Sequence, residues 1–192
     1  MITELIRSNR SFRRFNAERK IDRNTLEQLI DHARFSPSTA NLQPLAYYLS
    51  YTDEMNERIY PTLKWAGYLT DWDGPAPAER PTAYLLLCHD TEIAIKNEFL
   101  WCDVGIASQS ILLAAREHGL GGCIIASVDK ERVAEIIALP ERYKPLVVIA
   151  LGEPAERVEL TELEAGGSIK YYRDADDTHI VPKRRLADII IT

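Results

Sequence analysis

The sequence predicts an α+β fold, and three observations predict it. Two runs, "TAYLLLC" (82–88) and "PLVVIALG" (145–152), are apolar without alternation, the pattern of strands covered on both faces. Between them, from about Asn97 to His118, lies the longest helical pattern. Its middle, "DVGIASQSILLAA", is apolar or small on most sides, so a helix buried on several sides is expected. Shorter strand and helix signals flank these three. The chain has 192 residues, 46% of them hydrophobic. That length suits one domain with a substantial core, so 1–192 is read as a single domain.

The elements follow in order. A helix begins after "KID", where Asp22 is the expected cap and Ile21 and Leu26 flank it as a staple. Leu26, Leu29, Ile30 and Ala33 make its apolar stripe, and Pro37 ends it by forcing Ser36 out of the helical region. "AYYLSY" (46–51) reads as a strand. Asp53 is the expected cap of a short helix to about Tyr60. Residues 61–81 hold four prolines, two glycines, two tryptophans and a tyrosine, which argues against one long element but for packing on something. Gly119 suits the C-cap of the long helix. "GCIIASV" (122–128) is a strand, Asp129 caps the next helix, and that helix stops before Pro140. The last 40 residues show no long periodicity until "LADIII", whose "DIII" is expected to add as a strand to a partner's sheet.

Several chemistries find no support. The net charge of −6 argues against a nucleic-acid partner. The start has no apolar signal-peptide core, and no apolar run reaches the ~20 residues of a membrane helix. Cys88, Cys102 and Cys123 have no paired spacing and read as reduced core thiols, which suits a cytoplasmic protein. "GLGGCI" (119–124) lacks the third glycine of a dinucleotide fingerprint and follows a helix, so it reads as a cap and tight turn. The four histidines are scattered and suggest no metal site. No G-x-S-x-G elbow is present.

Positive charge nevertheless gathers at both ends. In "RSNRSFRRF" (7–15), Arg10 lies three residues before Arg13 and four before Arg14, spacings that share one side of a helical turn, with Ser11 between them. In "VPKRRL", Lys183 and Arg185 alternate and would face the same way in an extended stretch. Two guanidiniums and a hydroxyl suit a phosphate. Solvated surface charge is the competing reading, and the clusters alone leave both open. Between them, "ARFSPSTANLQP" (33–44) crowds Pro37, Ser38, Thr39, Asn41 and Gln43 into one loop after a helix. A planar heterocycle with alternating carbonyls and nitrogens would use all those donors and acceptors.

Taken in order, "NRSFRRF", "ARFSPSTANLQP", "DVGIASQSILLAAREHGLGGCIIASVD", "LPERYKPLVVIALGEP" and "VPKRRL" resemble the successive motifs of the FMN-dependent nitroreductase family. The second, similar to A-R-x-x-P-S-x-x-N-x-Q-P, is more specific than the first, similar to R-R-S-x-R-x-F. The resemblance spans nearly the whole chain, and "WAGYLTDWDGP" looks like a bacterial and archaeal branch. It implies a nitroreductase-like fold, a central mixed or antiparallel sheet flanked by helices, in an intertwined homodimer. Two FMN sites would lie at the subunit interface, with the tail from about 155 to 192 reaching the partner. It implies that Arg10, Ser11 and Arg13 contact FMN, that Lys183 and Arg185 reach the phosphate, and that Pro37, Ser38, Thr39 and Asn41 come from the partner. Two departures matter. Asn9 stands where many members have another arginine, which leaves open which of Arg10 and Arg13 meets the phosphate. Ala126 stands where a polar residue is frequent, so a backbone N–H of Ile125, Ala126 or Ser127 would reach flavin N5. Arg184 is an alternative to Arg185.

The function implied is hydride transfer from NAD(P)H through flavin N5 to a nitroaromatic or quinone, by ping-pong kinetics, with Arg13 beside N1 and no protein nucleophile. Trp65, Tyr68 and Trp72 either line the acceptor pocket or simply pack beneath a long loop. Two alternatives share the flavin: reductive dehalogenation or flavin fragmentation on the same fold, and a non-enzymatic flavin-binding module.

Overall fold

The computed structural model describes residues 1–191. Four strands, β1 (Leu45–Ser50), β2 (Ala83–Asp90), β3 (Gly121–Ile125) and β4 (Tyr143–Gly152), form one antiparallel sheet in the order β1-β2-β4-β3. The β2/β4 register pairs Leu85 with Ile149, and β3 pairs Cys123 with Ala150. A register shift between Leu87 and Cys88 brings Pro145 into the ladder, where a missing N–H is tolerated at a bulge.

The apolar runs lack alternation because both faces of the sheet are covered. Ala83, Leu85 and Leu87 of β2, with Val147, Ile149 and Leu151 of β4, pack with helices α2 (Arg23–Arg34) and α4 (Asn97–Glu117). Tyr84, Leu86, Val148 and Ala150 point the other way, toward Ile59, Leu63, Trp65 and Val133. That second layer holds α3 (Asp53–Ile59) and α5 (Lys130–Ile136). By length and composition α4 could cross a bilayer. Here Leu100, Val104, Ala107, Ile111 and Ala115 bury one side of it in the core.

Asp22 caps α2 by accepting the Thr25 N–H at 2.8 Å, and Asp129 caps α5 through the Arg132 N–H. The cap of α3 is Thr52, not Asp53. Its hydroxyl accepts from the Met55 N–H, which frees Asp53 and Glu54 to face the helix N-terminus. A seven-residue α1 (Ile2–Ser8), with Ile2, Leu5 and Ile6 at helical spacing, precedes these and buries none of its residues. Strand β3 stops at Ile125. Beyond it the Lys64 N–H bonds the Ser127 carbonyl and Leu63 bridges Val128.

Residues 9–16 do not form the helical turn expected from their arginine spacing. They run along the free edge of β3, with Ser11 bridging Gly122 and Phe15 bridging Pro154. The reason is apolar: Phe12 and Phe15 are buried against glycines. A Cβ on Gly121 would sit 2.5 Å from Phe12, and one on Gly152 2.7 Å from Phe15. The tail forms its own sheet from β5 (Val158–Glu162), β6 (Tyr172–Arg173) and β7 (His179–Lys183), with β5 parallel to β7. "DIII" is not a strand. A short 3-10 helix, Leu186–Asp188, is followed by exposed isoleucines.

Candidate functional site

The extended course of residues 9–16 carries Arg10, Ser11 and Arg13 to one wall of a cleft of about 330 Å³. Strand β7 supplies the facing wall. His179, Val181 and Lys183 alternate along it and all reach the cleft, and α4 contributes Gln109. Among the described residues, Arg10, Arg13 and Lys183 make no ion pair, although thirteen others join cations to carboxylates. Arg10 donates to the Ile6 carbonyl at 2.8 Å, and burial lowers its pKa from the ordinary arginine value. Asn9 Oδ1, Arg10 Nε and His179 Nδ1 are buried without a partner.

The edge segment is pinned from behind. Glu156 has a side chain only 2% exposed and binds Arg173 at 2.6 Å. Its other oxygen accepts the Arg13 N–H and, at 3.1 Å, the Arg14 N–H. Arg14 turns away from the cleft to Asp177 and Glu79.

A second cavity, about 170 Å³, shares Arg13, Ile124 and Tyr171 with the first. Its lining includes Trp65 and the consecutive residues Ile125, Ala126 and Ser127. Tyr171 stands at the division. Its ring lies 4.7 Å from the Arg13 guanidinium, 5.1 Å from His179 and 5.0 Å from Tyr68. Tyr68 therefore borders the site through Tyr171. Trp72 lines neither cavity and packs beneath Arg14 and Arg173.

The loop after α2 lies elsewhere. Pro37 and Ser38 line a third cavity of about 220 Å³ with Asp103, and no residue of 37–41 lines the first two. Asp103, 3% exposed, accepts from the Thr39 N–H and hydroxyl, each at 2.9 Å. It thereby holds a loop in which Ala40, Asn41 and Gln43 all have positive φ. Arg185 also stands apart: it pairs with Asp188 at 3.0 Å, and Arg184 bonds the Asp188 carbonyl.

The Nitroreductase family model matches residues 6–68 and 68–153. The chain belongs to the nitroreductase family. Relatives include a provisionally named NADH dehydrogenase/NAD(P)H nitroreductase of Methanothermobacter thermautotrophicus, 29% identical over 81% of this chain and 78% of its own. The oxygen-insensitive NADPH nitroreductase of Salmonella typhimurium is 29% identical over 82% of this chain and 67% of its own. A nitroreductase family structure from Streptococcus pneumoniae covers 100% of both chains at TM-score 0.71 and 17% identity. A provisionally named nitroreductase in complex with FMN, from Exiguobacterium sibiricum, covers 81% of this chain and 89% of its own at TM-score 0.68 and 18% identity. These structures share the fold.

Several residues of the candidate site and of the loop after α2 escaped sequence reasoning. The alternation in "HIVPK" points back from Lys183 to His179, a signal that was there to read. Tyr171, Gln109, Glu156 and Asp103 carried none. Each matters through partners distant in sequence, as Glu156 does through Arg13 and Arg14.

Proposed function

We propose that this protein is an FMN-dependent oxidoreductase that passes reducing equivalents from NAD(P)H to a nitroaromatic or quinone acceptor. One observation carries the reading: Arg10, Arg13 and Lys183 converge on a single cleft without carboxylate counterions among the described residues. Such cations repel one another, and a phosphate dianion relieves that repulsion while accepting from the Arg10 fork and the Lys183 ammonium. The unpartnered Arg10 Nε and the Ser11 hydroxyl extend the donor set. The adjoining cavity, with Trp65 and the 125–127 backbone, suits the edge of a planar ring. The residues present therefore fit FMN.

When bound, FMN supplies the hydride chemistry. The protein supplies placement and charge. Lys183 and Arg10 anchor the phosphate. Arg13, on the wall between the cavities, holds a fixed positive charge beside the ring. Backbone N–H groups at 125–127 address the ring's edge. Tyr171 and Trp65 line the ring cavity and limit water there. Both substrates would use one open face in turn, which gives ping-pong kinetics. The relatives' names, an NADPH nitroreductase and the NADPH-flavin oxidoreductase of Vibrio harveyi, support the same chemistry.

The working form in this reading is a homodimer in which 1–192 acts as one domain and the end of the tail reaches the partner. Phe35, Leu42, Phe99 and Trp101 are exposed on the 35–42 loop and the outer side of α4, an apolar surface that asks for cover. A partner docked there would bring its Pro37, Ser38, Thr39 and Asn41 toward this chain's cleft. The unpaired Cys88, Cys102 and Cys123 suit a reducing cytoplasm.

The test begins with purified protein. A yellow chromophore, released on denaturation and bleached by NADH or NADPH, is the expected result. Lys183→Ala should weaken FMN by about tenfold or more and riboflavin hardly at all, because a charge-assisted bond to phosphate is worth about 1.5–3 kcal/mol. Equal losses for the two ligands would overturn the phosphate assignment.

A further inference from the structure

This inference rests on the FMN reading above and concerns a residue outside the family motifs described in the sequence. His179 on β7 is 1% exposed, and its Nε2 lies 3.1 Å from Arg13 Nη1. A guanidinium has donors only and keeps its proton. The contact is therefore a hydrogen bond only when Nε2 holds the lone pair, which puts the single ring proton on Nδ1. That Nδ1 is buried and unpartnered, a cost of about 1–3 kcal/mol that an apolar side chain would not incur. A polar ring kept there at such cost has a use, and the neighbour it serves is Arg13.

The surroundings agree. The charged groups facing the imidazole are Arg13 and Arg14 on the edge segment, Arg173 on β6, and the carboxylate of Glu156. Burial first, and then Arg13, pull its pKa down to about 4, so the ring remains an acceptor at neutral pH. Arg13 is 9% exposed, and its Nη1 also donates to the Ser11 carbonyl at 3.3 Å. With Tyr171 over the guanidinium, the fork is held by contacts on one nitrogen and one face. The Cys123 thiol also lies against the Arg13 side chain; the bonds to Ser11 and His179 both fall on Nη1, so among the described residues Nε and Nη2 have no oxygen or nitrogen partner, and Arg13 lines both cavities.

We propose that His179 is a positioning residue for the flavin cleft: accepting at Nε2, it fixes the Arg13 guanidinium at the wall between the two cavities, with its remaining donors available to bound FMN. His179 acts through Arg13, so its effect should vanish when Arg13 is gone.

The test uses the FMN-loaded protein and three readouts: FMN affinity by fluorescence titration, the flavin midpoint potential, and the ¹⁵N spectrum of the histidine rings. His179→Leu should weaken FMN about tenfold and lower the midpoint potential, since a misplaced cation stabilises the reduced, more negative cofactor less. His179→Gln sets an amide oxygen near the Nε2 position and should restore affinity to within about twofold. His179→Asn is too short to reach Arg13 and should resemble the leucine variant, which keeps the comparison available if His179→Leu does not fold. In an Arg13→Ala background the leucine change should shift affinity by less than about twofold. The wild-type spectrum should show the Nδ1-protonated tautomer at neutral pH. A loaded wild type whose leucine and asparagine variants bind FMN unchanged, a full loss persisting without Arg13, or an Nε2-protonated ring would each overturn the positioning role alone. A wild type that takes up no flavin overturns the cofactor reading, and this role with it.

Discussion

Replacing Glu156 with glutamine should destabilise the fold by about 3 kcal/mol. The side chain is 2% exposed and Arg173 opposite it 14% exposed, at 2.6 Å. Both backbone bonds, from Arg13 and Arg14, fall on Oε1, whereas Arg173 bonds Oε2. Glutamine can keep an oxygen at the first position and so retain both backbone bonds. Its amide nitrogen must then face the Arg173 donor. Removing one partner of a buried ion pair costs roughly 3–5 kcal/mol. Arg173 keeps a second contact with Asp177 at 3.4 Å, which places the loss at the lower end. Equilibrium urea unfolding reads it directly. With a slope of about 2–3 kcal/mol/M, the midpoint should fall by roughly 1 M at unchanged slope. Adding Arg173→Met should recover part of the loss, because the stranded charge is then removed with its partner. An unchanged midpoint in Glu156→Gln, or a double variant worse than the sum of both singles, would refute the account of Glu156 as a buried charge clamp.

Acid should act through His179. Its folded pKa of about 4 lies below the ordinary 6.5, so the unfolded chain binds a proton that the folded one refuses. That contribution is complete above pH 6.5 and lost as pH falls toward 4, on the order of 3 kcal/mol. Denaturant titrations at pH 7 and pH 4.5 should therefore show a larger loss for wild type than for His179→Gln, and equal losses would count against it. Asp103→Ala strands the Thr39 N–H and hydroxyl and should cost about 2 kcal/mol while speeding proteolysis within 37–43, read by mass spectrometry of the fragments. Arg185→Ala should leave FMN affinity within about twofold of wild type, because Arg185 is engaged with Asp188 outside the cleft. A loss as large as that of Lys183→Ala, by the same titration, would place Arg185 at the phosphate instead.

The sequence by itself determined the layers. Strands β2 and β4 are legible because a segment covered on both sides must be apolar on both, and helix α4 because a long run of apolar and small residues marks a core helix; both patterns are local. The caps Asp22 and Asp129 are legible for the same reason, each acting within three residues of itself. The nitroreductase fold followed from motifs strung in order along the chain. Only the tertiary structure decided how the charged ends meet. The spacing of Arg10 and Arg13 suggested a helical turn, but Phe12 and Phe15 draw that segment into clearings at Gly121 and Gly152 and extend it along β3. The face of β7 that meets the cleft runs back from Lys183 through Val181 to His179, rather than on to Arg185, because the strand ends at Lys183. Glu156, Tyr171 and Asp103 find their partners through the fold, and no local periodicity encodes contacts between residues so far apart in the chain. The parallel pairing of β5 with β7 is of the same kind. Burial patterns record which residues avoid water, whereas the company a polar side chain keeps is set only once the whole backbone is in place.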